Sequence, residues 1–316
     1  MAYQKISNPC ADPKQLADEL KAFVLANTTF TDAGSIGTNG YSFKSPENWY
    51  YNFNFTNTTI ETTITRTKPT GSITTGMDAY NNVDGNGYSL TSTGNFTYPF
   101  VSRHFFTNGK LVAMVIETKS GIFRHHAFGK FDTFGNVDGG EFAGGTTPAT
   151  VNNTNLSSAD TIGSYHYSDT YRLTHPFVFG WSYSAESNNA YKYCWIRKGN
   201  KFIRVNGNTQ STNAVNAEFC CGYNTHFYGL GGNNYNGRVQ LYPIVWNIIK
   251  AYQSDALTTF PQIPMYYTYF VALVDIKDLL PEDVVNNDWV VFPLVSKSTT
   301  LIGDVGTSNY GIAYKK

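Results

Sequence analysis

The sequence predicts a mainly β protein with one or more antiparallel β-sandwich-like domains, an N-terminal α-helix and long Gly/Asn/Thr-rich loops. Two observations lead to this prediction. Tyr, Phe and Trp make up 16% of the 316 residues, and such side chains favour pleated surfaces. Beyond residue 27, apolar side chains recur at every second position, which is the period of a β-strand.

The helix is expected at the start of the chain. Asp12 is a suitable N-cap, Pro13 suits the first helical position, and Gln15 completes a capping box. The helix should end near Asn27. Its apolar face consists of Leu16, Leu20, Phe23 and Val24.

Two strands of alternating polarity follow the helix. In residues 49–55, aromatic side chains alternate with Asn52 and Asn54, and residues 58–67 repeat the alternation. Both segments are expected to form half-exposed antiparallel strands. The uninterrupted apolar run in residues 110–117 instead predicts a central strand that is covered on both faces.

The clearest hairpin spans residues 191–205, because Gly199-Asn200 fits a two-residue turn. This turn sets the register, so that Ile196 faces Ile203 on the core side. The other side carries aromatic and arginine side chains, which are enriched at protein contacts. The candidate contact residues are Tyr193, Trp195, Arg197, Phe202 and Arg204. The alternative is a solvated face along which the arginine stems lie.

Residues 135–165 are rich in Gly, Asn, Thr and Ser without a clear period, which predicts long loops. Strand character resumes in residues 238–249, 266–276, 289–295 and 310–314. Pro293 indicates an edge position or a strand end. The pattern divides the chain into four parts. They are an N-terminal arm and helix (1–30), a β region (31–145), a loop-rich insertion with a β-hairpin (146–215), and a C-terminal β region (216–316) that packs with residues 31–145.

Composition limits the class of partner. The formal net charge is zero and the isoelectric point is near 7.0, which argues against a nucleic-acid partner. No apolar run approaches the roughly 18 residues of a membrane span, and the first residues lack a signal-peptide pattern, so folding in a cytoplasm is expected. Charged residues make up only 15% of the chain, which favours an assembly component.

No metal, cofactor or catalytic centre is predicted. Residues 82–87 resemble the opening of a calcium loop, but Thr93 stands where a closing Glu is needed, so an Asx/Gly turn is the preferred interpretation. His125 and His126 should point to opposite faces of a strand and serve as structural residues. A glycosidase would need two carboxylates, for which the candidates are Glu117, Asp132, Asp138 and Glu141. Turn caps or a solvated rim are the preferred roles for these acids.

Two blocks of the sequence carry a resemblance to a known group. Residues 128–135 read Phe-Gly-Lys-Phe-Asp-Thr-Phe-Gly and lead into Gly-Gly-Glu-Phe-Ala-Gly-Gly at residues 139–145. Residues 288–293 read Asp-Trp-Val-Val-Phe-Pro and precede Tyr-Gly-Ile-Ala-Tyr at residues 310–314. Both blocks, and the opening helix, resemble segments of a group of tailed-bacteriophage virion proteins.

The resemblance implies a non-enzymatic structural subunit of the tail, neck/collar or baseplate that forms a symmetric ring. Its partners would be copies of itself and other virion proteins, and its location would be the virion, assembled in the host cytoplasm. Residues 151–213 are richer in Asn and Ser than the group's pattern and suggest an insertion facing solvent or a partner. The alternative function is a receptor- or glycan-binding tail-tip or decoration protein, with a host-surface glycan as partner. An enzyme that cleaves surface polysaccharide ranks third.

Overall fold

In the residues that the computed structural model describes, the chain forms three antiparallel β-sheets and one α-helix. This result confirms the predicted mainly β fold class. The described residues are 1–57, 59–69, 90–94, 98–134, 138–145, 194–199, 201–204, 218–222, 239–250, 265–276, 278–293 and 310–316. The calcium-like segment 82–87 lies outside them.

The helix, α1, spans Pro13–Asn27, as its capping signals predict. The Asp12 carboxylate accepts a hydrogen bond of 2.9 Å from the backbone N–H of Gln15. The Gln15 side chain reaches back to the N–H of Ala11 and not to that of Asp12. The buried face of α1 comprises Pro13, Leu16, Ala17, Leu20, Phe23 and Val24.

The central sheet has seven strands in the order β1-β7-β8-β9-β11-β12-β13. These strands are β1 (Ala2–Ile6), β7 (Ser102–Thr107), β8 (Leu111–Lys119), β9 (Ile122–Lys130), β11 (Gly139–Gly145), β12 (Cys194–Lys198) and β13 (Lys201–Arg204). The predicted central strand is β8, and it lies between β7 and β9 with its first six residues buried.

The second sheet has five strands in sequence order. They are β2 (Thr31–Ile36), β3 (Gly40–Lys44), β4 (Tyr50–Phe55), β5 (Thr59–Thr65) and β6 (Leu90–Gly94).

The third sheet has the order β14-β15-β16-β19-β18-β17, and a short strand, β10, also pairs with β16. Its strands are β10 (Asp132–Phe134), β14 (Glu218–Gly222), β15 (Leu241–Lys250), β16 (Met265–Asp275), β17 (Val284–Val285), β18 (Trp289–Pro293) and β19 (Tyr310–Lys315). The C-terminal strand is held between two neighbours as the alternation predicts, and Pro293 ends its strand.

The central sheet is covered on both faces, so the core has two layers. Phe128 of β9 packs against α1 and the second sheet, with its ring centroid 4.4 Å from that of Phe53. Phe106 of β7 packs against the third sheet, with its ring centroid 4.9 Å from that of Tyr314. Buried Arg103 fixes α1 by donating hydrogen bonds to the Glu19 carboxylate.

The structure corrects the expectation that the two strands after the helix are half-exposed. Asn52 of β4, expected on a solvent side, is fully buried. Its amide nitrogen donates to Thr63 and Thr65, and its carbonyl oxygen accepts from Ser42. A hydrogen-bonded amide can be buried at low cost, so the face of β4 that carries Asn52 is covered as well as the apolar face.

The structure also corrects the prediction of loops at the start of residues 135–165. Gly139–Gly145 forms the strand β11, which is buried throughout its length. Glycine suits this strand because the backbone passes close to its neighbours. A Cβ atom on Gly140, whose φ is +97°, would lie only 2.6 Å from the Phe131 carbonyl oxygen.

Candidate functional site

The predicted hairpin is present, and its register is confirmed. Trp195 lies opposite Arg204, Ile196 opposite Ile203, and Arg197 opposite Phe202. Among the five candidate contact residues, the structure describes the side chain of Arg197 alone; the side chains of Trp195, Phe202 and Arg204 and the whole of Tyr193 lie outside its described part.

Arg197 is not the exposed contact residue that the alternation suggested, since only 2% of it is exposed. The hairpin belongs to the central sheet, and the second sheet covers this face. The Arg197 guanidinium accordingly lies 4.8 Å from the ring centroid of buried Trp49. An alternating pattern could not show that both faces of this hairpin are covered.

The guanidinium of Arg197 joins two of the four carboxylates that the sequence offered as glycosidase candidates. It donates to both oxygens of Asp138, at 2.7 and 3.0 Å, and to the carboxylate of fully buried Glu141. It also donates to the carbonyl of Gly199 in the hairpin turn. Burial alone would lower the pKa of Arg197, but the hydrogen bonds that the guanidinium donates to Asp138 and Glu141 outweigh this effect and raise the pKa.

Further ion pairs extend this ionic cluster to the second sheet. Lys130 lies 3.0 Å from Glu47, in the segment between β3 and β4, and 3.7 Å from the second oxygen of Glu141. Arg66 stacks on Trp49, with Cζ 3.8 Å from the ring centroid. The ionic cluster is therefore Glu47, Arg66, Lys130, Asp138, Glu141 and Arg197, in which three cations balance three carboxylates.

The geometry does not form a glycosidase pair from the candidate acids. Hydrogen bonding to Arg197 lowers the pKa of Asp138, which opposes a role as proton donor. Glu117 lies opposite Phe123 on β9, whereas Glu141 lies opposite Lys130, so seven residues of strand, about 23 Å, separate them. The last candidate, Asp132, lies on β10, 3.6 Å from Lys110.

His125 and His126 point into different layers of the core, as predicted. His125 binds the Tyr314 hydroxyl at 2.7 Å and the Pro293 carbonyl at 2.9 Å. Burial lowers its pKa to about 4. His126 binds the Thr62 hydroxyl at 2.7 Å, and burial lowers its pKa to about 3. Both rings therefore cross-link sheets as neutral groups.

A second polar cluster, which the sequence did not reveal, surrounds His104 on β7. Its Nδ1 lies 3.1 Å from the Tyr3 hydroxyl, and its Nε2 lies 3.2 Å from a Glu282 oxygen and 3.5 Å from the Ser102 hydroxyl. Ser102 in turn donates to Glu117 at 2.9 Å. The serine and Glu282 meet the same ring nitrogen, so this is not the arrangement of a Ser-His-acid triad, in which they bind different nitrogens.

Among the described residues, the two most exposed aromatic side chains lie together on the outer side of the third sheet. Tyr269 is 71% exposed and Phe134 is 67% exposed. The ring centroids of Tyr267 and Tyr269 are 5.0 Å apart. Phe134 lies opposite Met265 on β16, so strand alternation puts it on the same side as Tyr267. We call Phe134, Tyr267 and Tyr269 the aromatic strip.

Strand alternation puts Tyr267 and Tyr269 on one side of β16, and a β-bulge begins at Tyr269. The pairing of β16 with β15 shifts between Pro243 and Ile244, which leaves residues 269–271 without opposite partners on β15. Phe270 and Val271 both turn into the core, and Tyr269 turns out. A bulge locally disrupts the ladder and re-aims side chains, which here lets two successive residues, Phe270 and Val271, face the core while Tyr269 stays exposed.

Neither a metal-ligand group nor a membrane-spanning helix is found in the described part of the chain. It contains no group of three His, Cys, Asp or Glu side chains placed to share a metal ion. No described helix has the length and apolar character of a membrane span. Comparisons with protein-family models and with curated proteins give no match to this chain.

Proposed function

We propose that this chain is a non-enzymatic structural subunit that assembles with copies of itself through the aromatic strip. The observation that carries the proposal is the exposure of Phe134 and Tyr269 on the adjacent strands β10 and β16. Soluble proteins rarely expose neighbouring large aromatic side chains unless another surface covers them.

The size of the strip indicates the kind of contact. Three partly exposed aromatic rings offer roughly 300 Å², whereas a standard stable interface buries about 800 Å² on each partner. The strip is thus the apolar centre of a larger contact, and a single contact is weak. A closed ring makes each subunit hold two neighbours, so weak contacts add up to a stable assembly.

Charge supports association between copies. The chain has no formal net charge, so copies do not repel one another at long range. The charges of the ionic cluster cancel within the cluster, and buried Arg197 and Glu141 form an ion pair with each other. The exposed aromatic side chains, and not the buried charges, are therefore left to make contacts.

The particle that we propose is a tailed-bacteriophage virion, in which the subunit forms part of the tail, neck/collar or baseplate. This part rests on the resemblance of residues 128–145 and 288–314 to virion proteins. Mass spectrometry of purified particles tests it. The chain should be present in many copies per particle after extensive washing, and its absence from particles whose lysate contains it would contradict the proposal.

Glycan binding is the second candidate, because Asp132 lies opposite Tyr267 in the strand register, beside the exposed rings. An aromatic ring next to a carboxylate is a common way to hold a sugar. Titration calorimetry with host-surface saccharides separates the two functions. Selective binding that is lost in Tyr269→Ala would favour the glycan, whereas self-association without saccharide binding favours the structural subunit.

A further inference from the structure

The N-terminal strand β1 is a firmly packed edge of the central sheet. Its pairing with β7 runs from Ala2 to Ile6 without a shift in register. Ala2 and Ile6 pack on the apolar cluster that includes α1. Tyr3 packs on the opposite cluster, with its ring centroid 4.8 Å from that of Phe106. Both faces of β1 are therefore in contact with the core, and its outer edge is the side that remains.

The hydrogen-bond ladder shows which backbone groups lie on this outer edge. The N–H of Asn108 donates to the Leu111 carbonyl, so the even-numbered residues of β7 point to β8. The odd-numbered residues of β7 then point to β1, and they lie opposite its even-numbered residues. The backbone N–H and C=O groups of Tyr3 and Lys5 consequently point away from the sheet. Among the described residues, no strand pairs with them.

This edge lacks the features that protect the other sheet ends within the described residues. β2 carries a bulge between Asp32 and Gly34, and β17 has only two residues. β6 lies against β11, and β13 lies against β14. β1 has neither a bulge nor a proline, and its one charged residue, Lys5, forms an ion pair with Glu282. A regular, uncovered edge of this kind is a template for another strand.

We propose that β1 pairs with β1 of a second copy of this chain, antiparallel and about a two-fold axis, so that two central sheets join edge to edge. The inference rests on the proposed ring and extends it. When every subunit of one ring pairs in this way with a subunit of another, two rings stack back to back.

The sequence of β1 is complementary to itself in one register. When Gln4 lies opposite Gln4 of the second copy, Tyr3 lies opposite Lys5 and Ala2 lies opposite Ile6. The outward backbone groups of Tyr3 and Lys5 then donate to and accept from each other. Each lysine also meets an aromatic ring. Sliding the strands to put Lys5 opposite Lys5 would instead bring like charges together, which is unfavourable.

The contact is small, so it depends on the ring. A five-residue strand is about 17 Å long and a sheet layer is about 10 Å thick, so one edge covers roughly 200 Å². A stable pair of free subunits needs about 800 Å² on each. Single subunits therefore do not pair through β1. All the edges of a ring act together, and their weak contacts add up.

Native mass measurement of the full chain tests the stacking. Lys5→Pro removes an outward N–H and leaves the N–H groups that face β7 in place. Lys5→Gln is the matched control, because it also loses the ion pair with Glu282 but keeps the backbone N–H. We expect assemblies of Lys5→Pro to have about half the mass of those formed by wild type and by Lys5→Gln.

The outcomes separate this inference from the proposed function. A wild-type ring with the same mass as the Lys5→Pro assembly would overturn the stacking and leave the aromatic strip as the ring contact. Halved mass in Lys5→Gln as well would assign the contact to the side chain and not to the strand edge, which also overturns the inference. A wild-type monomer would overturn both the stacking and the ring.

Amide hydrogen exchange gives a second readout that needs no change in β1. In assembled wild type, the amides of Tyr3 and Lys5 should be protected at least about 10-fold more than in Phe134→Ser/Tyr269→Ser, which lacks the strip. The amide of Gln4 binds β7 in both proteins and should change little. Equal exchange of the Tyr3 and Lys5 amides in the two proteins would overturn the inference.

Discussion

Removing the Arg197 guanidinium is expected to destabilise the protein strongly. In Arg197→Met, an apolar side chain of similar length replaces the cation on the covered face of the hairpin. Glu141 is fully buried and would keep one cationic neighbour, Lys130, at 3.7 Å. Asp138 loses little, because 70% of its side chain is exposed.

The magnitude follows from the buried partner. Removing one member of a buried ion pair costs about 3–5 kcal/mol, because the remaining charge stays desolvated without compensation. Lys130 offsets part of this cost, so we expect a loss of about 3 kcal/mol. Removing both charges in Arg197→Met/Glu141→Leu leaves no orphaned carboxylate, and the double variant should be more stable than Arg197→Met alone.

Urea unfolding followed by circular dichroism provides the double-mutant cycle. Asp138→Asn is the matched control, since it removes an exposed partner of the same guanidinium and should cost less than about 1 kcal/mol. The reasoning is refuted if Arg197→Met costs no more than Asp138→Asn. It is also refuted if the double variant loses the sum of the two single losses.

Three further predictions concern the core. Burial lowers the pKa values of His125 and His126 to about 4 and about 3, against an ordinary 6.5, so both rings take up protons on unfolding. As the pH decreases from about 6.5, the free energy of unfolding should therefore decrease by up to about 1.4 kcal/mol per pH unit for each ring. His126→Gln should halve that slope in urea titrations. Gly129→Ala, at φ +126° with a backbone carbonyl in the way, should cost about 3 kcal/mol or more by thermal denaturation, whereas Gly121→Ala, at φ +76° with open space, should cost about 1 kcal/mol. Arg103→Met should cost about 2–4 kcal/mol in chemical denaturation, because it releases α1.

Local signals were sufficient for several elements. The caps of α1 set its start, and the Gly199-Asn200 turn fixed the hairpin register, because both depend on residues adjacent in sequence. The apolar run of β8 correctly indicated a strand with two covered faces. The opposed directions of His125 and His126 followed from strand geometry alone.

Local sequence patterns could not show which strand faces are covered by other layers of the fold. Polar residues such as Asn52 and Arg197 suggested exposed faces, but other layers and internal partners bury them. β11 was missed because glycine carries no side-chain period. The His104 cluster joins residues 3, 104 and 282, whose separation in sequence gives no local signal. The aromatic strip joins β10 to β16 by long-range pairing, which alternation within one strand does not reveal.

The motif residues that carry the resemblance to virion proteins lie in the core. Its motif residues lie on β9, β11, β18 and β19, which are strands of the central and third sheets. Phe128, Phe142, Phe292 and Ile312 of these motifs are buried. Short aromatic motifs of this kind describe how sheets pack, so the proposal of self-assembly rests on the exposed strip and is tested there.

The most direct test of self-assembly is the native mass of the purified protein, measured for wild type and for Phe134→Ser/Tyr269→Ser. Leu280→Ser is a matched control, because Leu280 is 66% exposed, close to the 67% of Phe134, and belongs to neither strand of the strip. We predict a closed multimer for wild type and for Leu280→Ser, and a folded monomer for the double variant. A wild-type protein that stays monomeric at high concentration, or a double variant that still assembles, would contradict the proposal.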